Sequence, residues 1–400
     1  MTAAILPSAY TLSSTTEICS LWSNYGSISR LHVSHPSTNS KSLILKSILP
    51  PPQSPGSSPD ESHLRKLISY RVERYFYAHL SPLLSSQPFT KVAESIAVND
   101  ETGQLLLEDL SPQYPITSYG SLDGPATTAV LNWLAGFHGT FWAPTVSPSV
   151  VDNNDGEEEG RGSNINIGTP IPAPLTVASP TTTAGIWERG GYWYLSTRSS
   201  ELSFLLTNPD SEDSYLIPWI HEVDSRIQNE NPQWKTLIHG DPKGANILLS
   251  PISRNEDGSN NKDGSGEKPK SKQKGTGEFK AALYDFQYCG IATPAVDLVY
   301  FFGTTVDRSL LLKDLDLLLT TYYRELCNAY ERSHDGRKLE QETGYSYDIL
   351  KEQWDVAVVD WMRFMAGWGV WGNWRWVKAQ AVAAVKKWEA QGKTAVSDAS

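Results

Sequence analysis

Apolar and polar positions along the chain alternate over short runs in its first part and fall on helical spacing over most of the rest. "ISRLHV" (28–33) and "SLILKSI" (42–48) read as two strands joined by a polar turn. The Pro/Ser-rich "LPPPQSPGSSPDES" that follows reads as a loop. "HLRKLISYRVERYFYAHL" (63–80) then places Leu64, Leu67, Ile68, Val72, Tyr75 and Phe76 on one helical face, with Asp60 or Ser62 as N-cap. "VAESIAVND" and "GQLLLEDL" (103–110) predict two more strands around an Asn-Asp turn. "TTAVLNWLAGFHGTFW" (127–142) predicts a second helix. From residue 297 onward the chain reads as mostly amphipathic helix, most clearly in "LLLKDLDLLLTTYYRELCNAY".

Two stretches break this pattern. Residues 145–186 are dominated by Ser, Thr, Pro, Gly, Asn and acidic residues, and 253–279 by mixed charges with Gly and Ser. Both predict exposed insertions largely without fixed structure. Removing the second brings "NILLS" and "KAALYDFQ" together as the arms of a hairpin. The expectation is an α+β protein: a small β-rich lobe over 1–110, then a larger helical lobe over 111–400 carrying both insertions.

Composition narrows the partners. The chain has 400 residues, which suits two lobes, and 39% of them are hydrophobic, enough for a sizeable core. Its net charge of -11 lacks the basic face that phosphate neutralisation requires, so a nucleic-acid partner is not expected. Cys19, Cys289 and Cys327 are far apart and odd in number, with neither metal-ligand spacing nor a disulfide framework; a reducing, cytoplasmic setting is expected. The N-terminal "MTAAILPSAYTLSS" lacks the features of a signal peptide. "WDVAVVDWMRFMAGWGVWGNWRWV" carries Asp355, Asp360, Arg363 and Arg375, which argues against a membrane span.

The chemistry-bearing candidates lie between and after the β-like runs. "LIHGDPKGANILLS" (237–250) sets Asp241 and Asn246 in a turn stiffened by Pro242 and loosened by Gly244. A carboxylate there can take or orient the proton of a hydroxyl, and an amide oxygen one turn on can reach a metal ion. The plainer reading is a capped turn in which both side chains bond the backbone. "ALYDFQ" places Asp285 after an apolar run, where the expected hairpin would bring it close to Asn246. "LILKSI" carries Lys46, and the helix after it offers Glu73 as an ion-pair partner, with Glu61 and Glu94 as competitors. "LLLEDL" puts Glu108 and Leu110 at a strand end just before the helical part, where backbone groups suit a flat base.

In this order the elements resemble the protein-kinase-like small-molecule kinases, within them the ecdysteroid-kinase-like and choline-kinase-like group related to aminoglycoside phosphotransferases. His239-x-Asp241-x4-Asn246 has the spacing of a kinase catalytic loop. "SLILKSI", "LLLEDL", "LAGFHGTFW", "YDFQ" and "PAVDLVYFF" complete a set running from about residue 20 to about 330. The resemblance implies a bilobal kinase-like fold and use of ATP and Mg2+ to phosphorylate a hydroxyl of a small molecule. It makes Asp241 the catalytic base, and Asn246 and Asp285 the magnesium ligands. Lys46 and Glu73 would hold the nucleotide phosphates, and Glu108 and Leu110 the base. Asp297 would brace the catalytic loop.

Gly240 stands where protein kinases have the arginine of H-R-D, and "FQYCGIATPAVD" is too short for an activation loop and lacks A-P-E. Both favour a small acceptor over a protein one. The first hairpin, "LWSNYGSISRL", has only Gly26 in place of a glycine-rich loop, with Ser27 or Ser29 as substitute phosphate contacts. That degeneracy keeps a rival open, a catalytically silent pseudokinase that binds nucleotide or a partner. His138 reads as structural. The run of Trp354, Trp361 and Trp368, followed by Trp371, Trp374 and Trp376, reads as a packed face, with an aromatic wall for a cationic or flat acceptor as the alternative. The aromatics of 185–200 could line the acceptor pocket.

Overall fold

The computed structural model describes residues 5–35, 38–52, 60–118, 120–146, 165–177, 184–208, 211–252 and 277–393. Strands β1 (Thr11–Ser20), β2 (Gly26–His35) and β3 (Thr38–Ile48) run antiparallel, and helix α1 (Glu61–Tyr75) follows them. Strands β4 (Ser95–Asn99) and β5 (Gln104–Glu108) complete a five-stranded sheet in the order β1-β2-β3-β5-β4. β5 is the apolar run "QLLLE", and its burial on both faces explains why it does not alternate. Leu105 and Leu107 pack with Ile68, Val72 and Phe76 of α1. Leu106 faces the other way, onto Leu31, Val33, Leu43, Leu45 and Ile5.

Asp60 caps α1, accepting from the His63 N–H at 2.6 Å. The α-helix ends at Tyr75, and a π-type turn over Phe76–Leu80 carries the chain to the end of the segment read as one helix. The expected β2–β3 hairpin is present, but β1 is an addition to it. All ten residues of β1 are exposed, so no hydrophobic alternation announces it.

The short strand β6 (Ile116–Thr117) leads into α2 (Gly124–Thr140), which is capped by Asp123 and buried nearly all round. Next come β7 (Pro170–Ile171), β8 (Ile186–Trp187), α3 (Ser199–Leu206), α4 (Ile220–Gln228) and β9 (Thr236–Ile238). β10 (Ile247–Pro251) pairs with β11 (Phe279–Leu283) from Ile247↔Leu283 to Pro251↔Phe279, which is the hairpin expected across the low-complexity stretch. Strand β12 (Gly290–Ala292) joins β7, β8 and β9 in a small sheet. Helices α5 (Pro294–Thr304), α6 (Arg308–Ser333), α7 (Leu339–Thr343), α8 (Tyr347–Trp368) and α9 (Trp374–Ala390) complete the helical part. The chain is thus the mixed α+β type expected, with a β-sheet at its N-terminal side and helices after it.

One expectation needs correcting. Part of 145–186 is built into the core: Ile167 and Ile171 are buried, and β7 pairs in parallel with β8. A few apolar residues in a Pro/Thr-rich stretch are enough to dock it, and window composition hides them. Most of 253–279 lies outside the described residues.

Candidate active site

Lys46 sits on β3, where its side chain points toward α1. Its ammonium donates to the Glu73 carboxylate at 2.6 Å and to Asp285 Oδ1 at 3.1 Å. Glu61 is paired instead with Arg65, one turn along its own helix. The Lys46 ammonium also lies 5.3 Å from the ring centroid of Tyr70. One cation thus serves two carboxylates, Glu73 buried and Asp285 partly exposed. Burial works against the charge on Lys46, but Asp285 and Glu73 outweigh it and raise its pKa. Glu73 is the carboxylate that yields: burial, and Asp285 nearby, push it up to about 7 against the pull of Lys46. At Asp285 burial is outweighed by Lys46, Gln287 and Lys243, so its pKa is lowered.

Asp285 follows β11 with φ of +72°, in the left-handed region that a residue with a Cβ enters at a cost. Gln287 holds it there. The Gln287 amide N–H donates to Asp285 Oδ1, its amide oxygen accepts from Ser69 of α1 at 3.1 Å, and its carbonyl accepts from Trp187 at 2.8 Å. Phe286, between them, is fully buried and stacks on Phe76 with centroids 3.7 Å apart. Movement of α1 would therefore be felt at both Glu73 and Asp285.

The loop between β9 and β10 carries the second half of the site. Asp297, at the start of α5, accepts from the backbone N–H groups of His239 at 2.7 Å and Gly240 at 2.9 Å. His138 Nε2 lies 3.2 Å from the same carboxylate. His239 accepts at Nδ1 from the Asp241 N–H and meets the Tyr284 carbonyl with Nε2 at 3.0 Å. Those partners require the neutral Nε2–H tautomer, and burial holds the pKa of His239 low. The loop is thereby bonded from behind, leaving Asp241 to face forward.

Both oxygens of Asp241 are engaged. Oδ1 accepts from the Tyr300 hydroxyl at 2.6 Å, and Oδ2 from Lys243 at 2.7 Å and Asn246 Nδ2 at 3.1 Å. Burial raises the pKa of Asp241, and these cationic and hydroxyl donors offset only part of the rise. Asn246 Nδ2 also donates to the Asp241 carbonyl at 2.9 Å. Both bonds use the amide nitrogen, so the amide oxygen is the group left to meet a cation. Pairing of Ile247 with Leu283 sets Asn246 and Asp285 at the same end of one hairpin.

Lys46 bonds both Glu73 and Asp285, and Asn246 bonds Asp241; the β10–β11 hairpin sets the two groups side by side in one polar cluster, close enough for Asp285 to act on the charge of Asp241. Glu108 and Leu110 lie at the sheet's edge of it, β5 running beside β3 with Lys46 opposite Leu105. The Glu108 carboxylate is tied to Lys91 at 2.6 Å, which leaves the backbone as what this segment can offer a ligand. No bond among the described residues engages the Leu110 N–H. Asp109 between them is clamped by Arg30, Ser42 and Ser111. The β1–β2 turn leans on α1 instead of resting on glycines: Tyr25 bonds His63, Lys66 reaches Ser23 at 3.1 Å, and Trp22 projects into solvent, 82% exposed. Two cavities of about 430 and 330 Å³ lie elsewhere in the helical part, and neither is lined by Asp241, Asn246 or Asp285.

Sequence reasoning gave no role to Tyr300, Gln287 or Tyr70, and held Tyr192 only among the aromatics of 185–200. Tyr300 lies in the quoted "PAVDLVYFF", one helical turn after Asp297, and that register was the available signal. Tyr192 OH is 3.2 Å from Tyr300 OH, so it is two hydrogen bonds from Asp241. Of the tryptophans, Trp354, Trp361 and Trp376 are core, whereas Trp368 is 60% exposed.

Residues 270–334 match the ecdysteroid kinase-like family. The match takes in Asp285, Asp297 and Tyr300 and agrees with the resemblance carried by the motifs. None of the curated proteins matches the sequence. Among solved structures, a microcompartment-associated aminopropanol kinase is similar at 12% identity and a TM-score of 0.38, covering 96% of each chain. A Plasmodium vivax ethanolamine kinase is similar at 12% and 0.38, over 96% of this chain and 85% of the other. A putative aminoglycoside phosphotransferase from Ralstonia eutropha is similar at 11% and 0.41, over 98% and 96%. Likeness at those values carries no weight for chemistry, which rests on the site itself.

Proposed function

We propose that the protein is an ATP- and magnesium-dependent phosphotransferase acting on a hydroxyl of a small molecule. The observation that carries this reading is the Lys46–Asp285 contact at 3.1 Å, which joins the cation on the sheet to the carboxylate beside the Asp241 loop. Phosphoryl transfer asks mainly for positioning and neutralised charge, and this cluster supplies groups for both.

The donor set fits magnesium with nucleotide. Asp285 and Asn246 offer hard oxygen ligands. Among the described residues no group of three or more His, Cys, Asp or Glu side chains could hold a metal alone. Magnesium is commonly held by one or two carboxylates plus substrate phosphates, so that scarcity suits a metal arriving with ATP. When bound, the metal–nucleotide pair supplies the phosphoryl group and neutralises its charge.

The chain's own residues do the rest. Lys46, oriented by Glu73, binds the nucleotide phosphates. The backbone of Glu108 and Leu110 receives the base. Asp241 accepts or orients the acceptor's hydroxyl proton at its carboxylate, held in place by Tyr300 and Asn246. Lys243, whose side chain is partly exposed, is placed to accompany the charge that develops beside Asp241. The absence of an arginine at 240 and the short 286–297 segment favour a small acceptor over a protein.

The test is labelled-ATP phosphorylation of a metabolite extract and an alcohol panel, with wild type and Asp241→Ala. Product formation that Asp241→Ala abolishes is expected. Equal labelling by both proteins removes Asp241 from the reaction, and magnesium-dependent ATP binding without turnover on any acceptor favours the catalytically silent alternative.

A further inference from the structure

Beside the Tyr192–Tyr300 pair, three aromatic rings form the kind of cage that receives ammonium groups. Tyr192, Phe364 and Trp368 supply it, and its middle is already taken. The guanidinium carbon of Arg198 lies 5.5 Å from the Tyr192 centroid, 5.1 Å from Phe364 and 5.4 Å from Trp368. Arg198 is only 5% exposed, so it is not a surface side chain resting on a ring. Its Nε donates to the Tyr192 carbonyl at 2.8 Å, and its Nη1 to Glu201 at 3.4 Å. The carbonyl fixes the fork and the three rings fix its plane.

The surroundings strengthen the effect. Arg65 donates to the Thr197 carbonyl at 3.3 Å, which brings a second guanidinium beside the residue preceding Arg198. Among the described residues each arginine pairs with one carboxylate, Glu61 for Arg65 and Glu201 for Arg198. Glu201 already accepts from Ser200 and Arg198, so it has little to offer an incoming cation. A ligand ammonium would have to share aromatic faces with a like charge a few ångströms away. In a partly desolvated site that repulsion exceeds the attraction of one shared face.

We propose that Arg198 is a specificity-determining residue that fills the aromatic cage beside the acceptor site with the protein's own cation, so that the enzyme refuses ammonium-bearing alcohols and takes uncharged or anionic ones. The inference rests on the phosphotransferase reading for the word acceptor, but the filled cage can be tested without turnover. Tyr192 links cage to chemistry, since one of its faces meets Arg198 and its hydroxyl meets Tyr300.

The experiment titrates tetramethylammonium and choline into wild type, Arg198→Met, Arg198→Gln and Arg198→Lys by calorimetry, with circular dichroism reporting folding. Wild type and Arg198→Lys are expected to show no saturable binding. Arg198→Met is expected to bind at least about 10-fold more tightly, and Trp368→Ala added to it to remove the gain. Arg198→Gln serves where Arg198→Met does not fold, because it keeps a donor for the Tyr192 carbonyl without the charge. Wild type binding tetramethylammonium as tightly as the uncharged variants overturns the proposal, as does wild-type turnover of choline or ethanolamine at a kcat/KM matching its best uncharged acceptor. Wild type that fails to bind magnesium–ATP sinks the phosphotransferase reading instead, and the titration still decides whether the cage is closed.

Discussion

Tyr300 of α5 donates its hydroxyl proton to Asp241 Oδ1 at 2.6 Å, across 59 residues of sequence. Tyr300 is itself buried, so the bond forms away from competing water. It fixes one carboxylate oxygen, and Lys243 and Asn246 hold the other. Tyr300 is thus a positioning residue for the proposed base.

Tyr300→Phe deletes that bond together with the longer 3.2 Å contact to the Tyr192 hydroxyl. Hydrogen bonds to a charged group contribute about 1.5–3 kcal/mol, so kcat should fall about 10- to 100-fold with little change in KM for ATP. Direction in pH adds a second readout. Tyr300 is one of the groups pulling the Asp241 pKa down against burial, and its loss lets that pKa rise further. Activity that needs ionised Asp241 disappears as pH falls through that pKa, so the acid limb should move to higher pH in Tyr300→Phe. An unmoved limb with a uniformly lower rate would leave Tyr300 with a packing role only.

Glu73 gives a prediction about stability. Its carboxyl is raised from 4.5 to about 7 by burial and Asp285. The folded protein therefore keeps a proton that the unfolded chain has released. The stability from neutral Glu73 is complete below its unfolded pKa and is lost as pH rises through about 7. Fully developed, that loss is on the order of 3 kcal/mol. Glu73→Gln does not titrate, so its Tm relative to wild type should climb between pH 5 and pH 8. Its affinity for ATP should fall below that of wild type only above about pH 7, where Glu73 is ionised and Gln offers Lys46 an uncharged acceptor instead. A Tm difference flat across that range would show that Glu73 is ionised throughout.

Much of this arrangement could be read from the chain. Asp60 was one of the two caps offered for the helix, "GQLLLEDL" announced a strand, Asp241, Asn246 and Asp285 came from motif spacing, and Lys46 and Glu73 came from their places on a strand and the helix after it. The structure brings those five together, while their roles await the experiments above. What the chain concealed depends on distance in sequence or on patterns too short to register. β1 is a Ser/Thr strand with no apolar face, visible only once β2 is there to pair with it. β7, β8, β9 and β12 are two or three residues each, below any period a window can detect. Tyr300 had only its register after Asp297 to point to it, while Gln287 and Arg198 meet partners that the fold brings from far away, Ser69 for one and Phe364 and Trp368 for the other.

Asp285 holds a left-handed backbone, and its substitution separates strain from ligand chemistry. Asn tolerates that conformation better than most residues, so Asp285→Asn should keep the backbone where it is. Thermal stability should change by less than about 2 kcal/mol, because the lost Lys46 contact is backed by Glu73. The stabilisation by ATP should lose its dependence on magnesium, read as a thermal shift with and without the metal. A variant that keeps the full magnesium increment would exclude Asp285 from the metal's ligands.

Gly240 answers why no arginine stands before the aspartate. Its φ is +81°, and a Cβ there would come within 2.1 Å of the Tyr288 carbonyl oxygen and 2.8 Å of the Gly191 nitrogen. Both neighbours are backbone and bonded to each other at 3.0 Å, so neither can give way cheaply. Gly240→Ala should therefore cost roughly 2–4 kcal/mol, combining an unfavourable φ with the displacement of a packed chain. The shift would also strain the Gly240 N–H bond to Asp297 and with it the bracing of the Asp241 loop. Denaturation of Gly240→Ala beside Gly120→Ala, where a Cβ meets nothing within 4 Å, checks this. Gly120→Ala should stay within about 0.5 kcal/mol of wild type, and equal stability of the two variants would show that the 240–241 backbone has room the structure does not display.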